Sequence, residues 1–386
     1  MKQLFLIALT ALVLASCSTE VEMNAPYKKT TVIYGLLSAD ENGDGVSNAL
    51  DTQWVKINKT FLGEGDNTAY ALIRDSLEYQ DSDFVKKVVQ QIHDGQVVQE
   101  FPLHSIELSN KEVGGAFYAP LHTVYYFIPP ANGLNQGDKY RILLQFTDGR
   151  EVSATTDIVN FSQFMWQSPQ VGSTLNLARS NSITQTVTFN ENVMVKWYPA
   201  QNASIYQGTL RFNFTEYTYA DASWTGQPIS VEEKHLDFNI GSTTKTKISP
   251  SGHLELYFNG EAFYTFVANQ LEKKPNVRRE IGTFIDGKTR CFDIRLDIGN
   301  EILADYLSVN TPSTGIVQEK PTYTNVENGL GLFAGRGTQI LKNLALVSSN
   351  NNGVLLTGNL DAFFLPQLVD FNFCDPNPAS AYYCNF

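Results

Sequence analysis

The residues whose types and spacing could do chemistry are few, and the best-defined group lies between Asp40 and Asp51, D-E-N-G-D-G-V-S-N-A-L-D. Oxygen-bearing side chains fall at loop positions 1, 3, 5, 9 and 12, namely Asp40, Asn42, Asp44, Asn48 and Asp51. Gly45 stands at position 6 for the sharp turn, and Val46 at position 7 offers its carbonyl. Calcium takes six to eight oxygens from a flexible loop, and this spacing supplies them. The loop departs from a helix–loop–helix calcium site in two ways. Position 12 is Asp51, shorter than a bidentate Glu, and the flanks read as strands. The competing reading is a solvated hairpin, since Asp, Asn and Gly are turn formers in any case. A calcium ion here would be structural and weakly held.

The second group is the first seventeen residues. Met1 and Lys2 give a short positive start, Leu4 to Leu14 is apolar except for Thr10, and Ala15, Ser16 and Cys17 follow. That run is too short to span a bilayer, which takes about 20 residues, so residues 1–16 read as a removable secretory signal. The tetrad L-A-S-C, Leu14 to Cys17, resembles the bacterial lipobox. The resemblance implies cleavage before Cys17, diacylation of its sulfur and acylation of the new amino terminus. Several acyl chains meet the two-signal requirement for stable anchoring. Ser18 follows the cysteine, so an outer-membrane address is expected. The periplasmic and cell-surface faces stay open, because the acids of S-T-E-V-E are separated.

Two further cysteines, Cys374 and Cys384, bracket D-P-N-P-A-S-A-Y-Y, a stretch that bends readily. A disulfide there would close a short loop in an oxidising compartment, and two free thiols are the alternative. Cys291 is left without a partner and is expected buried in a strand. No Cys/His cluster suggests zinc. GxSxG, HExxH and P-loop motifs are absent. Gly329, Gly331 and Gly335 nearly spell a dinucleotide fingerprint, but the spacing is one residue too long and no βαβ unit surrounds it. The five histidines, His93, His104, His122, His235 and His253, are scattered singly. Paired carboxylates for glycoside cleavage are defined in space and not in sequence. Tyr217, Tyr219 and Trp224 could stack on sugar rings, although sheet packing explains most such residues.

Composition bounds what elements can hold these groups. The chain has 386 residues, 42% hydrophobic, 12% aromatic and 18% charged, which excludes a disordered polypeptide. Its length suggests two or three domains. Forty acidic residues against 28 basic ones give a formal charge of −12, which argues against a nucleic-acid partner and against polybasic docking on lipid.

Residues 17–28 are polar and read as a lipidated tether. Strand patterns then recur at Thr31 to Leu37, Gln53 to Asn58, Val85 to Ile92, Val97 to Leu103, Val124 to Ile128, Tyr140 to Phe146 and Glu151 to Thr156. D-G and N-G turns at Asp94–Gly95, Asn132–Gly133 and Asp148–Gly149 separate several of them. We therefore expect a mainly β protein. An immunoglobulin- or transthyretin-like β-sandwich is expected over residues 29–158, with a junction near Asp157 to Ser168. A second β-rich domain follows over residues 165–386. Its V-M-V-K-W, P-A-Q-N-A-S-I-Y and T-L-R-F-N-F look like the middle of a fibronectin type III sandwich. One helix is expected near residues 260–274, capped by Asn259 and closed by Pro275, with Phe263, Phe266, Val267 and Leu271 on one face. A second short helix is expected from Glu301 to Leu307.

Four features together resemble an uncharacterised Bacteroidota lipoprotein family, the domain of unknown function numbered 4249. They are the lipobox, V-I-Y-G-L-L followed by V-K-I-N-K-T, G-D-K-Y-R-I-L-L-Q-F-T-D-G-R-E-V (Gly137 to Val152), and the late N-G-L-G-L-F-A-G. The likeness spans most of the mature chain, its motifs are structural, and the loop Ala39 to Thr52 looks like an insertion. It implies a role beside an outer-membrane TonB-dependent transporter. The leading expectation is a non-catalytic outer-membrane lipoprotein held in lipid through Cys17 that binds a ligand or partner protein. A glycan-degrading enzyme or peptidase, and an adhesion or assembly subunit, are the alternatives.

Overall fold

The computed structural model describes residues 29–38, 52–60, 67–131, 133–181, 186–310, 323–346, 370–378 and 383–384. The expected signal (1–16) and tether (17–28) lie outside them. The described chain is mainly β, as its alternating apolar runs require. Gln53–Lys59 is typical: Gln53, Val55 and Ile57 are buried while Trp54, Lys56 and Asn58 face outward. At the hairpin tip Asp94 and Gly95 both take positive φ, 47° and 79°, the geometry a tight two-residue turn demands.

A 12-stranded sheet runs through the whole molecule. At one end lie Thr31–Ser38, Gln53–Lys59, His122–Phe127 and His104–Leu108. Their inner face packs on a five-stranded sheet of Val326–Glu327, Glu151–Asp157, Lys139–Phe146, Phe84–His93 and Gln96–Pro102. Ile33, Val55, Tyr125 and Phe127 meet Val89, Tyr140, Ile142 and Leu144 in this first core. At the other end lie Lys288–Gly299, the long hairpin Ile205–Thr218 with Ser230–Thr244, Val277–Ile281 and Phe373–Cys374. These pack against the helix Gly260–Gln270 and a three-stranded sheet of Leu254–Phe258, Val193–Tyr198 and Met165–Ser168. Trp197 and Tyr206, at the ends of strands belonging to different sheets, sit 5.5 Å apart across this second core. Phe212 at its centre touches the rings of Phe263, Phe292 and Phe373.

The change of core falls between Ile158 and Val159. The chain does not divide there without exception. Val326 and Phe333, which the sequence places in the second domain, complete the first core. The reason is one 18-residue strand, Gly329–Leu346. Its first half pairs in parallel with Thr31–Ser38, and its second half pairs antiparallel with Lys288–Gly299. Gly331, at φ 110°, is what lets this strand lie so close: a Cβ there would stand 2.0 Å from the Ile33 carbonyl oxygen.

The first expected helix starts where Asn259 Oδ1 accepts from the Ala262 amide at 3.1 Å. It ends at Gln270 and not at 274. Pro275 disfavours helical geometry at Lys274, and Leu271 already has extended backbone. The second helix, Glu301–Asn310, runs three residues beyond Leu307. Two short helices, Asn67–Ala71 and Arg74–Leu77, were not expected. No described helix is long and apolar enough to cross a membrane.

Candidate functional site

The outer face of the N-terminal end of the large sheet carries the most distinctive cluster. Outward alternation along Gln53–Lys59 presents Trp54, Lys56 and Asn58 side by side. The turn after Arg74–Leu77 brings Glu78 over this face through an isolated bridge to Asn58. The strand His122–Phe127 adds His122, and the segment between His104–Leu108 and His122–Phe127 adds Lys111 and Phe117. Lys56, Asn58, Glu78, Lys111, Phe117 and His122, with Val32, Lys59, Thr60 and Leu77, line a cavity of about 440 Å³.

Glu78 is the buried centre. It accepts from the Thr123 amide at 3.1 Å, the Thr123 hydroxyl at 2.8 Å and Arg74 Nε at 3.0 Å, and Lys56 Nζ lies 3.5 Å away. Burial works to raise this carboxyl. The hydrogen bonds from Arg74 and Thr123, with the charge of Lys56, outweigh it and hold the group below the usual range. Lys56 also donates to the Thr123 carbonyl at 2.5 Å. Burial pulls its ammonium below the ordinary lysine value, and the Lys111 and Arg74 charges add to that, against Glu78. His122 Nδ1 lies 3.4 Å from Lys56 Nζ, and its Nε2 faces Asn110 Oδ1 at 2.8 Å. Burial, then the Lys56 charge, lowers this imidazole, so the ring is neutral at pH 7 and donates from Nε2.

On the same face, beyond Lys56, Trp54, Tyr126 and His104 form a cross-strand row with centroids 5.3 and 5.5 Å apart. Trp54 and Tyr34 keep 45% and 49% of their exposure, so this apolar shelf is open beside the cavity.

Two other cavities are larger but differently charged. One of about 610 Å³ sets Glu216, Glu233 and Glu272 against Lys234, Lys274 and Arg279, which neutralise one another. One of about 630 Å³ beside Trp166 and Ile340 has Arg290 and Lys342 against Asp286. The 440 Å³ cavity sets three lysines against one carboxylate.

Of the residues singled out in the sequence, Cys17 and the calcium set Asp40, Asn42, Asp44, Val46, Asn48 and Asp51 lie outside the described residues. Among the described residues no group of three or more His, Cys, Asp and Glu side chains could hold a metal ion. Cys374 and Cys384 are joined in a disulfide, and Cys291 is a buried free thiol. The three aromatic residues are engaged in local contacts. Tyr219 is buried, Tyr217 donates to Glu280, and Trp224 donates to the Pro275 carbonyl under the Arg278 guanidinium. Of the five histidines, His122 lines the cavity with Glu78 and His235 the one with Glu216. The others pair locally, as His93 does with Asp138 and His253 with Tyr198. Sequence reading missed Lys56, Glu78 and His122 because they come from three separate segments. The available signal was Trp54 on the outward row of Gln53–Lys59, a large aromatic beside the Lys and Asn that a solvated face ordinarily carries.

No family model matches the chain, and no curated protein matches it.

Proposed function

We propose that the protein is a non-catalytic lipoprotein, held in the outer membrane through acylated Cys17, that binds a ligand or partner as an accessory to a TonB-dependent transporter. The observation that supports binding over turnover is the state of the cavity's polar groups. Glu78 is saturated with donors and Lys56 is pinned to a carbonyl, so neither is poised to take or deliver a proton. The location rests on the L-A-S-C tetrad and the family resemblance. Affinity purification of the intact lipoprotein from detergent-solubilised outer membrane is expected to recover a β-barrel envelope protein. Recovery of none, or a product left unlabelled by palmitate, overturns the reading.

The assembly reading has one observation in its favour. Gln96–Pro102 forms one edge of the five-stranded sheet and leaves Val97 and Val98 more than half or about half exposed. Concentration-dependent self-association in light scattering would favour it, and a monomer at all concentrations would remove it.

Calcium at Asp40, Asn42, Asp44, Val46, Asn48 and Asp51 belongs to the same proposal as a stiffener of that loop. Added calcium should raise the melting temperature, and Asp40→Ala with Asp44→Ala should abolish the rise. A wild type indifferent to calcium ends the idea.

A further inference from the structure

We infer that the 440 Å³ cavity takes a small amphipathic carboxylate, its anionic end seated between Lys56 and Lys111 and its apolar body against Val32, Leu77 and Phe117. The inference deepens the ligand-binding reading above and assumes of it only that this cavity is a binding site.

Charge gives the first argument. The chain as a whole is strongly acidic, yet the cavity wall carries Lys56, Lys59 and Lys111 against the single carboxylate of Glu78. That carboxylate is already spent on Arg74, Thr123 and Lys56, and Arg74 is shared with Glu107. Lys56 is paired with Glu78 and Lys59 faces the charges of Asp83 and Asp75, so the excess positive charge of the wall centres on Lys111. Burial and then the Lys56 charge disfavour a proton on His122, with Lys111 and Arg74 adding to this against Glu78. An incoming anion relieves this repulsion, whereas a cation or metal adds to it.

Shape and hydrogen bonding narrow the class. The volume suits a molecule of small-metabolite size. Val32, Leu77 and Phe117 offer an apolar wall. The ammonium of Lys111 is already positioned, donating to the Tyr118 carbonyl at 2.6 Å and lying 5.6 Å from the Phe117 ring centroid. Asn58 Oδ1 is buried with no hydrogen-bond partner. An unpaired buried acceptor is costly, and a hydroxyl or amide on the bound molecule would satisfy it. An inorganic anion would leave the apolar wall uncovered.

The test is isothermal titration of the intact protein with three matched probes, 3-phenylpropionate, 3-phenylpropanol and 3-phenylpropylamine. The acid is expected to bind at least about tenfold more tightly than the alcohol, and the amine to give no heat, because only the acid gains a charge-assisted contact. Lys56→Met and Lys111→Met should each weaken the acid severalfold and leave the alcohol unchanged. If Lys56→Met does not fold, Lys111→Met decides, since Lys111 makes no hydrogen bond to Glu78. Equal affinities for acid and alcohol, an acid that does not bind at millimolar concentration, or acid binding indifferent to Lys111→Met overturns the inference. The two readings fail separately. A barrel protein recovered with a lipoprotein that ignores the acid sinks the ligand class alone, and acid binding with no barrel recovered sinks the location alone.

Discussion

Arg279 donates from Nε to Glu216 Oε2 at 2.9 Å, and the two side chains keep only 2% and 10% of their exposure. The same guanidinium reaches the Phe371 carbonyl at 2.7 Å and the Glu272 carbonyl at 3.3 Å. One cation therefore fastens the long hairpin, the chain leaving the helix Gly260–Gln270 and the C-terminal segment to one another. Lys234 closes the network from the exposed side, donating to Glu216 Oε1 at 2.5 Å.

Removing the carboxylate leaves a buried guanidinium without its counter-charge, so Glu216→Gln should lose about 3 kcal/mol in urea unfolding at pH 7. Burial works to raise the Glu216 carboxyl, but Lys234 and Arg279 outweigh it and hold it below its ordinary value of 4.5. A depressed carboxyl stabilises above that ordinary value and loses its contribution as pH falls toward the folded one. The gap between wild type and variant should accordingly narrow below pH of about 4.5. A gap that is constant with pH would show that the charge is immaterial.

Gly331→Ala should be among the most damaging single changes in the chain. Its positive φ alone costs about 1–3 kcal/mol for a non-glycine residue, and the Cβ would collide with backbone of Thr31–Ser38. Gly149 is the control. It has φ 85° and nothing within 4 Å of a Cβ, so Gly149→Ala should cost only about 1–2 kcal/mol. Denaturation midpoints check the ranking, and equal losses would contradict it.

The Cys374–Cys384 bond closes a loop of sequence separation 10, worth about 2–3 kcal/mol by chain entropy. Cys374 lies in the short strand Phe373–Cys374 that pairs with Val277–Ile281, three residues from the Phe371 carbonyl that accepts from Arg279. Cys374→Ser with Cys384→Ser should therefore be non-additive with Glu216→Gln in a double-mutant cycle. Cys291 behaves differently. Burial pushes its thiol well up, so it should ignore a maleimide at pH 8 until the protein unfolds.

A fragment of residues 29–165 should not fold alone, since it lacks Val326, Phe333 and the parallel partner of Thr31–Ser38. Adding a peptide of residues 323–340 should restore native circular dichroism. A fragment that folds without it would show the strand to be dispensable.

Much of the first sandwich was legible because its strands are apolar and alternate over much of their length, as Thr31–Ser38 and Gln53–Lys59 do. His104–Leu108 escaped because four of its five residues are exposed, leaving no two-residue rhythm to read. Asn67–Ala71 and Arg74–Leu77 escaped because five and four residues are too few to express a helical period. Ser230–Thr244 is mostly polar, and only its antiparallel partner Ile205–Thr218 identifies it as a strand. The candidate site was illegible for a different reason. Lys56, Glu78 and His122 meet through sheet register and a turn, and no local spacing encodes either.

The pairing of Ile33 with Gly331 also sets a timetable. Nearly three hundred residues separate the two, so Thr31–Ser38 must wait, unclosed, for a partner synthesised much later. Contacts that distant make for slow and late closure. Until then the inner faces of an apolar, half-made sandwich stand open to water.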